Sequence, residues 1–338
     1  ADADKGLMLG AFRMRMALSA AMQTQMDGQA GAFAAALMTG DRSGVSAATN
    51  EALRASNLSH MISISGLHMG LVTGFVFALF RYGMALWPAL ALRIDTRKVA
   101  AWIALLAATF YMILAGPDVA TRRSYIMAAV MLVAVLFDRR ALSLRSVALA
   151  ALVCLLLEPE SLVEPGFQMS FGATAALIVG FEQWTKVQVH VPALLRPAAI
   201  AILSSLIAGT ATAPIAAAHF NRIAEYGLLA NLLGVPVMGI MVMPMGVIAL
   251  ILTPVGLAGP ALWMMEKGCA IILLIADPVA SMKGSVIAVP SPPGLVLPLL
   301  GLAGALFLLG RPLWLRGGGW PVWCWPSGSG RGRNGRRC

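Results

Sequence analysis

Long apolar runs, separated by short polar segments, dominate the chain from residue 61 onward. No Asp, Glu, Lys or Arg occurs in 61–80, 197–221, 226–265 or 284–310. A helix needs about 20 mainly apolar residues to cross a bilayer, so each run is long enough for one crossing and 226–265 for two. The pattern predicts membrane spans near 61–80, 99–115, 119–137, 141–157, 166–181, 197–219, 227–252 and 293–310.

A ninth apolar segment, 257–276, carries Glu266 and Lys267 near its middle. It either crosses the membrane or lies flat on the surface. Pro236 and Pro244 predict that the 227–252 span is broken, because proline removes a helical hydrogen bond. The predicted fold class is all-α: a polytopic transmembrane helix bundle of about eight or nine spans, some short or broken.

The two ends of the chain differ from this apolar middle, which forms a predicted transmembrane domain over 58–310. Residues 1–57 interleave Met, Ala and Leu with polar residues such as Arg13 and Gln23, which predicts an amphipathic, interfacial lead-in. Residues 311–338 are basic and rich in Gly, Arg and Trp, with no apolar period. This composition predicts a disordered tail.

Composition excludes a soluble globular protein. Only 12% of the residues are charged, against about 25% in a typical soluble domain. The net charge of +10 owes much to the tail, so the body of the protein is only mildly basic. The four cysteines have no metal-ligand spacing, and the sequence contains no P-loop, HExxH or dinucleotide fingerprint. We therefore expect no enzymatic activity, no cofactor and no metal site.

Basic residues in the loops predict an orientation. The loops 81–98, 138–145 and 182–196 hold four, three and two Lys or Arg residues, whereas 116–124, 158–165 and 220–226 hold two, none and one. Cytoplasmic loops carry the excess of positive charge. We therefore expect the first set of loops in the cytoplasm and the lead-in on the opposite side.

A stripe of small residues marks the first predicted span. Continued as a helix, it places Ser63, Gly66, Gly70 and Gly74 on one face. Such a stripe lets another helix pack closely in lipid, and it either serves packing only or borders a translocation path. His68 lies on nearly the opposite face, where a polar ring is either satisfied locally or functional.

Three other spans carry polar residues near their predicted ends. Arg122 and Arg123 fall where the 119–137 helix begins, so this helix needs a wet cavity, an acidic partner, a phosphate, or snorkelling of the side chains to the interface. Gln168 lies one turn into its span, and Asn231 lies in the span with the two prolines. These residues, with His68, are the candidates for a translocation path.

A serine-protease interpretation rests on the segment 63–66, which reads Ser-Ile-Ser-Gly. A nucleophilic Ser65 needs a base within hydrogen-bond reach. His219 is the plausible partner from another helix, and we expect no base adjacent to Ser65 in sequence. The first glycine of a GxSG motif is here Ser63, which weakens this alternative.

Several segments together resemble the competence domain of the ComEC competence-protein family, in matching order and spacing over roughly 39–310. The segments are TGDRSG (39–44), HMISISGLHMG (60–70), RSYIM (123–127), EPGFQMSF (164–171), ATAP (211–214) and LANLLGVP (229–236). The resemblance implies a multi-pass channel in the bacterial inner membrane that admits single-stranded DNA during natural transformation. Longer family members add an amino-terminal OB-like domain and a carboxy-terminal metallo-β-lactamase-like domain, and 1–338 resembles neither.

The resemblance also implies partners besides single-stranded DNA and the lipid bilayer. These are a periplasmic DNA receptor and a cytoplasmic helicase-like ATPase, and a homo-oligomer is a further candidate. The alternative function is a secondary transporter of a small polar or anionic solute. Channel and transporter differ in one expectation: DNA requires a wide, mildly basic vestibule, whereas a solute carrier requires a closed site with paired charges at the midplane.

Overall fold

The computed structural model describes residues 2–290, 292–304 and 306. The predicted disordered tail, 311–338, lies outside the described residues. Inside them α-helices dominate, which confirms the all-α, polytopic fold class. Ala1–Ser291 form one compact unit, and Pro292–Cys338 form a second unit whose described helical residues are 296–304.

The lead-in folds into α1 (Asp2–Gln25), α2 (Gly28–Thr39) and α3 (Ala47–Ala55). The helices that follow are α4 (Gly66–Ala85), α5 (Pro88–Ala91), α6 (Thr96–Ala115), α7 (Val119–Leu136), α8 (Leu144–Leu157), α9 (Pro165–Val187), α10 (Arg196–Phe220), α11 (Gly227–Val237), α12 (Met243–Leu252) and α13 (Gly259–Ser281). Short 3-10 turns lie at Ser59–Met61, Pro159–Val163, Gln188–His190, Ala193–Leu195 and Thr253–Val255.

Six helical stretches of the described chain are long and apolar enough to cross a membrane. They are Gly66–Ala85, Thr96–Ala115, Val119–Leu136, Ala193–Phe220, Gly227–Val255 and Gly259–Ser281. The apolar helix α8 has 14 residues and is shorter, while α9 has 23 residues and includes Gln168 and Glu182. The segment 257–276 is part of α13, which packs against α2, α3, α11 and α12. Its alternative position, flat on the surface, therefore does not occur.

Side-chain caps explain several helix starts. Asp95 precedes α6 and its Oδ1 atom accepts hydrogen bonds from the backbone of Arg97 and Lys98, at 3.1 and 3.2 Å. Ser143 precedes α8 and accepts from the Ser146 backbone at 3.2 Å. Such caps satisfy amide groups that have no partner inside the helix. Asp138, just after α7, accepts from Lys98 Nζ at 2.7 Å, and this bond lowers the pKa of the carboxyl.

Helix α2 lies at the centre of the large hydrophobic core. Gly31 to Thr39 are all buried, and Phe33 and Leu37 are completely inaccessible. The hydroxyl of Tyr111 donates to the Leu37 carbonyl at 2.7 Å, one of the last carbonyls of α2 that have no helical partner. The interfacial position predicted for the whole lead-in is therefore wrong for α2. An Ala-rich helix suits close packing as well as a membrane surface, and its neighbours decide between them.

The span from Gly227 to Val255 is broken, as Pro236 and Pro244 predicted. A wide π turn at Met238–Val242 separates α11 from α12, and the Met243 N–H donates to the Met238 carbonyl, five residues earlier. Pro244 follows directly and has no N–H to donate. The irregular turn lies inside the protein, since Met238 and Val242 are buried.

A small antiparallel ladder was not predicted. It pairs β1 (Arg222–Ala224) with β2 (Val286–Ala288), with Arg222 opposite Ala288. The chain leaves α10 through Asn221, which adopts a left-handed conformation at φ 55°, and this reversal allows the short strand to form.

Candidate functional site

The five candidates for a translocation path occupy equivalent places in four helices. His68 is the third residue of α4, Arg122 and Arg123 are the fourth and fifth of α7, Gln168 is the fourth of α9, and Asn231 is the fifth of α11. Contacts described below bring Arg122, Arg123 and Gln168 into one region. His68 and Asn231 lie on other helices and have separate surroundings.

Arg122 forms an ion pair with an acidic residue that follows α8. Its Nη2 atom lies 2.5 Å from Oε1 of Glu158. The side chain of Glu158 is 24% exposed and that of Arg122 is 48% exposed. Of the alternatives considered for this arginine, the structure therefore has the acidic partner, and the guanidinium stays accessible from solvent.

Arg123 lies against the beginning of α9. A Cβ atom at Gly166 would come within 3.1 Å of Arg123 Nη2, so only glycine lets the guanidinium approach the backbone so closely here. The Nε atom of Arg123 is buried and has no hydrogen-bond partner. The amino terminus of a helix carries partial positive charge. The guanidinium and the helix end therefore repel each other unless an anion lies between them.

A cavity of about 170 Å³ opens beside the two arginines. Apolar side chains and the polar groups of α7, α8 and the 3-10 turn before α9 share its wall. It is lined by Val119, Arg122, Arg123, Ile126, Cys154, Leu157, Glu158, Ser161 and Phe167. A cavity with two cations and one carboxylate suits an anionic group that enters from the exposed side of Arg122.

Gln168 joins this region to α10. Its Oε1 atom lies 3.3 Å from Nε2 of His219, and its Nε2 atom donates to the Leu162 carbonyl at 3.0 Å. His219 is the penultimate residue of α10. The amino end of α9 thus has Arg123 beside Gly166 and His219 beside Gln168. We call Arg122, Arg123, Glu158, Gln168 and His219 the polar rim.

His68 is completely buried and belongs to a helix cap. Its Nδ1 atom lies 3.2 Å from Ser65 Oγ and accepts from the Ser65 backbone N–H at 3.3 Å. Ser65 and His68 form a reciprocal capping box at the start of α4. The Nε2 atom of His68 has no partner.

This cap corrects two expectations about Ser65. A base does lie beside it, in the same turn, although none was expected there. His219, the base considered from another helix, bonds to Gln168 instead. The Ser65 side chain also accepts the backbone N–H at the third position of α4. Its geometry is thus that of a helix cap.

The small stripe does not pack against another helix within the described chain. A Cβ atom at Gly66, Gly70 or Gly74 would meet no atom within 4 Å. Ser63 lies before the helix starts, and its hydroxyl accepts from Arg42 Nη2 at 3.3 Å. The packing prediction for these four residues is therefore wrong inside this chain. It assumed a continuous helix from residue 59, whereas α4 begins at Gly66.

Asn231 has a buried Oδ1 atom without a hydrogen-bond partner. Three residues later, Gly234 packs on Leu58 and Met61, which precede α4. Asn231 thus belongs to the side of the bundle where α11 meets the chain before α4. No printed sequence feature of Asn231 alone distinguishes an unsatisfied amide from a satisfied one.

No group of three or more His, Cys, Asp and Glu side chains is arranged to hold a metal ion in the described part of the chain. The expectation of no metal and no cofactor stays a prediction. Cys154 and Cys269 are buried free thiols.

Glu158 is the functional residue that sequence reasoning missed. The segment 158–164 contains three acidic residues directly after the apolar run of α8, which is a visible cluster of charge. Its pairing with Arg122 crosses 36 positions of sequence and depends on the antiparallel packing of α7 and α8. The charge cluster was therefore the only signal in the sequence.

Comparison with known proteins gives consistent matches. A family model described as "Competence protein" matches residues 37–314. ComE operon protein 3 of Bacillus subtilis (strain 168) is 30% identical over 218 residues, which cover 64% of this chain and 26% of that protein. Competence protein ComA of Neisseria gonorrhoeae is 34% identical over 179 residues, which cover 53% and 22%. The matched segments thus span about a quarter of each relative's length. No solved structure matches the chain.

Proposed function

Because this chain belongs to the competence-protein family, we propose that it forms the membrane part of a channel that takes up single-stranded DNA during natural transformation. The observation that carries the proposal is the polar rim, where two arginines of a predicted span meet the amino end of another helix beside a cavity. In this proposal the rim receives backbone phosphates as the strand enters the bundle.

The chemistry of the rim suits phosphate. Arginine presents a planar fork of donors that matches phosphate oxygens, and a helix amino terminus adds oriented N–H groups. Arg123 has a buried Nε atom without a partner, and its guanidinium lies against Gly166. A phosphate oxygen near both would relieve the repulsion between the guanidinium and the helix end. Contacts of this kind position a strand without reading its sequence.

The position of the rim suits an entrance better than a selectivity site at the midplane. Arg122, Arg123 and Gln168 all lie within the first five residues of their helices. An arginine near the centre of a bilayer costs about 2.5–3.5 kcal/mol on insertion scales, and the cost is smaller near the ends of a span. The chain is a multi-pass membrane protein, and we assign it to the bacterial inner membrane with this end of the bundle outside.

The proposal includes partners. A strand that enters the rim must be delivered from double-stranded DNA and drawn through from the other side. A DNA receptor outside the membrane and a helicase-like ATPase in the cytoplasm would perform these steps, and the chain itself would need no enzymatic activity. The segment also supplies only part of the length of its relatives, so further domains contribute to the full activity.

Replacement of Arg123 tests the proposal most directly. In a strain that lacks the endogenous protein, complementation with Arg123→Ala, in the longer protein if the strain requires it, should lower transformation about tenfold or more. This is the loss expected when a charge-assisted phosphate contact of roughly 1.5–3 kcal/mol is removed. Arg123→Lys should restore part of the activity, because it keeps the charge but loses the planar fork.

Arg139→Ala provides the matched control, since Arg139 is exposed just beyond the other end of α7. Membrane abundance of each variant is measured by immunoblot. The loss in Arg123→Ala should be the same for DNA of different sequence. Unchanged transformation at equal abundance would remove Arg123 from the path.

A secondary transporter is supported by a different observation. Glu266 and Lys267 lie in the middle of α13, where Lys267 Nζ is 3.2 Å from Glu266 Oε1, and the span from Gly227 to Val255 is broken. Paired charges and broken helices are typical of solute carriers. Reconstitution into liposomes decides between the two, because a carrier would exchange small anions in the absence of any DNA.

A further inference from the structure

Glu158 occupies the donor group that a phosphate would use at Arg122. Its Oε1 atom lies 2.5 Å from Arg122 Nη2. Carboxylate and phosphate oxygens bind the same guanidinium N–H groups, with similar short, charge-assisted bonds. An incoming phosphate must therefore share Arg122 with this carboxylate or displace it.

The backbone holds Glu158 in place for this contact. Glu158 is the first residue after α8, and its N–H donates to the Cys154 carbonyl at 2.8 Å. Its own carbonyl accepts from the Ser161 N–H at 3.1 Å, and Pro159 restricts the chain between them. The backbone of Glu158 therefore stays fixed whether or not the carboxylate contacts Arg122, and only the side chain needs to move.

Arg122 is also the main group that stabilises this carboxylate. Glu158 follows the carboxyl end of α8, where the helix dipole disfavours negative charge. The side chain of Arg122 is about half exposed, so an anion from solvent reaches its free donors without rearrangement of the helices. An anion bound there would repel the Glu158 carboxylate, which can turn toward water.

The neighbouring Arg123 differs in this respect. In the described part of the chain, no carboxylate oxygen forms an ion pair with Arg123 within 4.0 Å, and its Nε atom has no partner. One arginine of the pair is therefore occupied by an anion of the protein and the other is available. The same cavity borders both.

We propose that Glu158 is an anionic latch, which competes with the phosphates of DNA for Arg122 and so keeps each phosphate weakly bound at the polar rim. This rests on the proposed function. A conducting site must bind its substrate well enough to admit it and weakly enough to release it. With Glu158 at hand, Arg122 passes from phosphate back to carboxylate as the strand advances, and the site never holds one phosphate tightly.

Binding of labelled oligothymidylate to the purified full chain in detergent tests the latch, by fluorescence anisotropy at low ionic strength. Glu158→Gln should bind about three- to tenfold more tightly than the wild type, as expected for loss of one competing ion pair. Glu160→Gln is the matched control, since Glu160 lies two residues away and is exposed. It removes the same charge and should leave the affinity within about twofold, because only long-range attraction changes.

A second variant shows whether the gain passes through Arg122. In an Arg122→Gln background, the addition of Glu158→Gln should give no further gain, because the competitor has nothing to compete for. A gain of the same size in both backgrounds would mean that Glu158 acts only through general repulsion, and would overturn the latch.

The outcomes separate the latch from the proposed function. If neither the wild type nor any variant binds the oligonucleotide, the proposed function and the latch both fail. If the wild type binds and Glu158→Gln binds equally or more weakly, only the latch fails. Should Glu158→Gln not fold, Glu158→Asp replaces it, because the shorter carboxylate reaches Arg122 less well. A folded Glu158→Asp variant should bind more tightly than the wild type, and equal or weaker binding contradicts the latch.

Discussion

The helices around α2 and the helices around the polar rim are packed very differently. The large core includes completely buried residues from α2, α4, α12 and α13, such as Phe33, Met69, Met243 and Ile272. The cluster between α7, α8 and α9 is small and consists of Met127, Val147, Ala150, Cys154, Phe167 and Phe171. Helix α10, which packs on α9, contains no buried residue in 25 positions.

The polar rim lies in the less tightly packed of the two regions. Arg122, Gln168 and His219 come from α7, α9 and α10, whereas the core around α2 holds the fixed part of the bundle. Regions with few buried apolar contacts open at lower free energy than a core. A strand that passes between helices needs such a region, together with a scaffold that keeps its position. The comparison thus assigns support to one region and passage to the other.

The largest expected difference between the regions comes from one phenylalanine in each. Phe33→Ala, in α2, should lower the free energy of unfolding by about 3–5 kcal/mol, because it leaves a cavity in a closely packed core. Phe220→Ala, at the end of α10 where the ring is 51% exposed, should change it by less than about 1 kcal/mol. Thermal unfolding of both variants in the same detergent provides the measurement. Similar losses for the two would mean that α10 is as well packed as the core.

Two glycines give an intermediate effect and test the small stripe. A Cβ atom at Gly268, in α13, would lie 2.7 Å from Val242 Cγ2 and 3.2 Å from Met241 Cβ. Gly268→Ala should therefore cost about 1–3 kcal/mol through overpacking. Gly70→Ala, on the open face of α4, should be neutral or stabilise by up to about 1 kcal/mol, since alanine favours a helix. A destabilised, folded Gly70→Ala would show that another molecule covers the stripe.

The smallest effect concerns acid sensitivity on the core side. Ser19 Oγ donates to Asp41 Oδ2 at 2.6 Å, and this bond, with a second from Ser43, lowers the pKa of Asp41 below its ordinary value of 3.8. The stability it contributes is present above pH 3.8 and is lost as the pH falls through the lowered pKa. Ser19→Ala raises that pKa, so acid unfolding should begin at higher pH.

The effect of Ser19→Ala at neutral pH should be about 0.5 kcal/mol at most, because the carboxylate is partly exposed and screened. Unfolding midpoints between pH 3 and 7 measure it. Thr24→Ala is the control on the same helix, since Thr24 Oγ1 bonds only to its own helix at Ala21. Identical pH profiles for Ser19→Ala and Thr24→Ala would remove Asp41 from the account.

Sequence reasoning found helices where a polar residue bounds an apolar run. The starts of α6 and α7 follow Asp95 and Asp118, and both spans were placed within three residues of their observed ends. It failed for α2, because alanine and methionine suit a core and an interface equally. It also failed for the Gly66 stripe, because the 3-10 turn at Ser59–Met61 moves the start of the helix.

The candidate site was predictable as a set of polar residues and unpredictable as an arrangement. Arg122, Arg123 and Gln168 were recognised because polar groups in apolar runs are costly and conspicuous. Their partners Glu158 and His219 come from other helices, and only the packing of those helices pairs them. His68 looked similar in sequence, yet its Nδ1 serves a helix cap.

The π turn at Met238–Val242 makes the chain sensitive to the number of its residues as well as to their identity. A π turn holds one residue more than an α-helix would place there. Deletion of one residue in this segment would restore a regular helix and rotate everything beyond it by about 100°. Met243 and Val247, both buried, would then leave their places in the core. Substitutions in α11 are therefore a local matter, whereas a single-codon deletion there would change which face of α12 the rest of the protein meets.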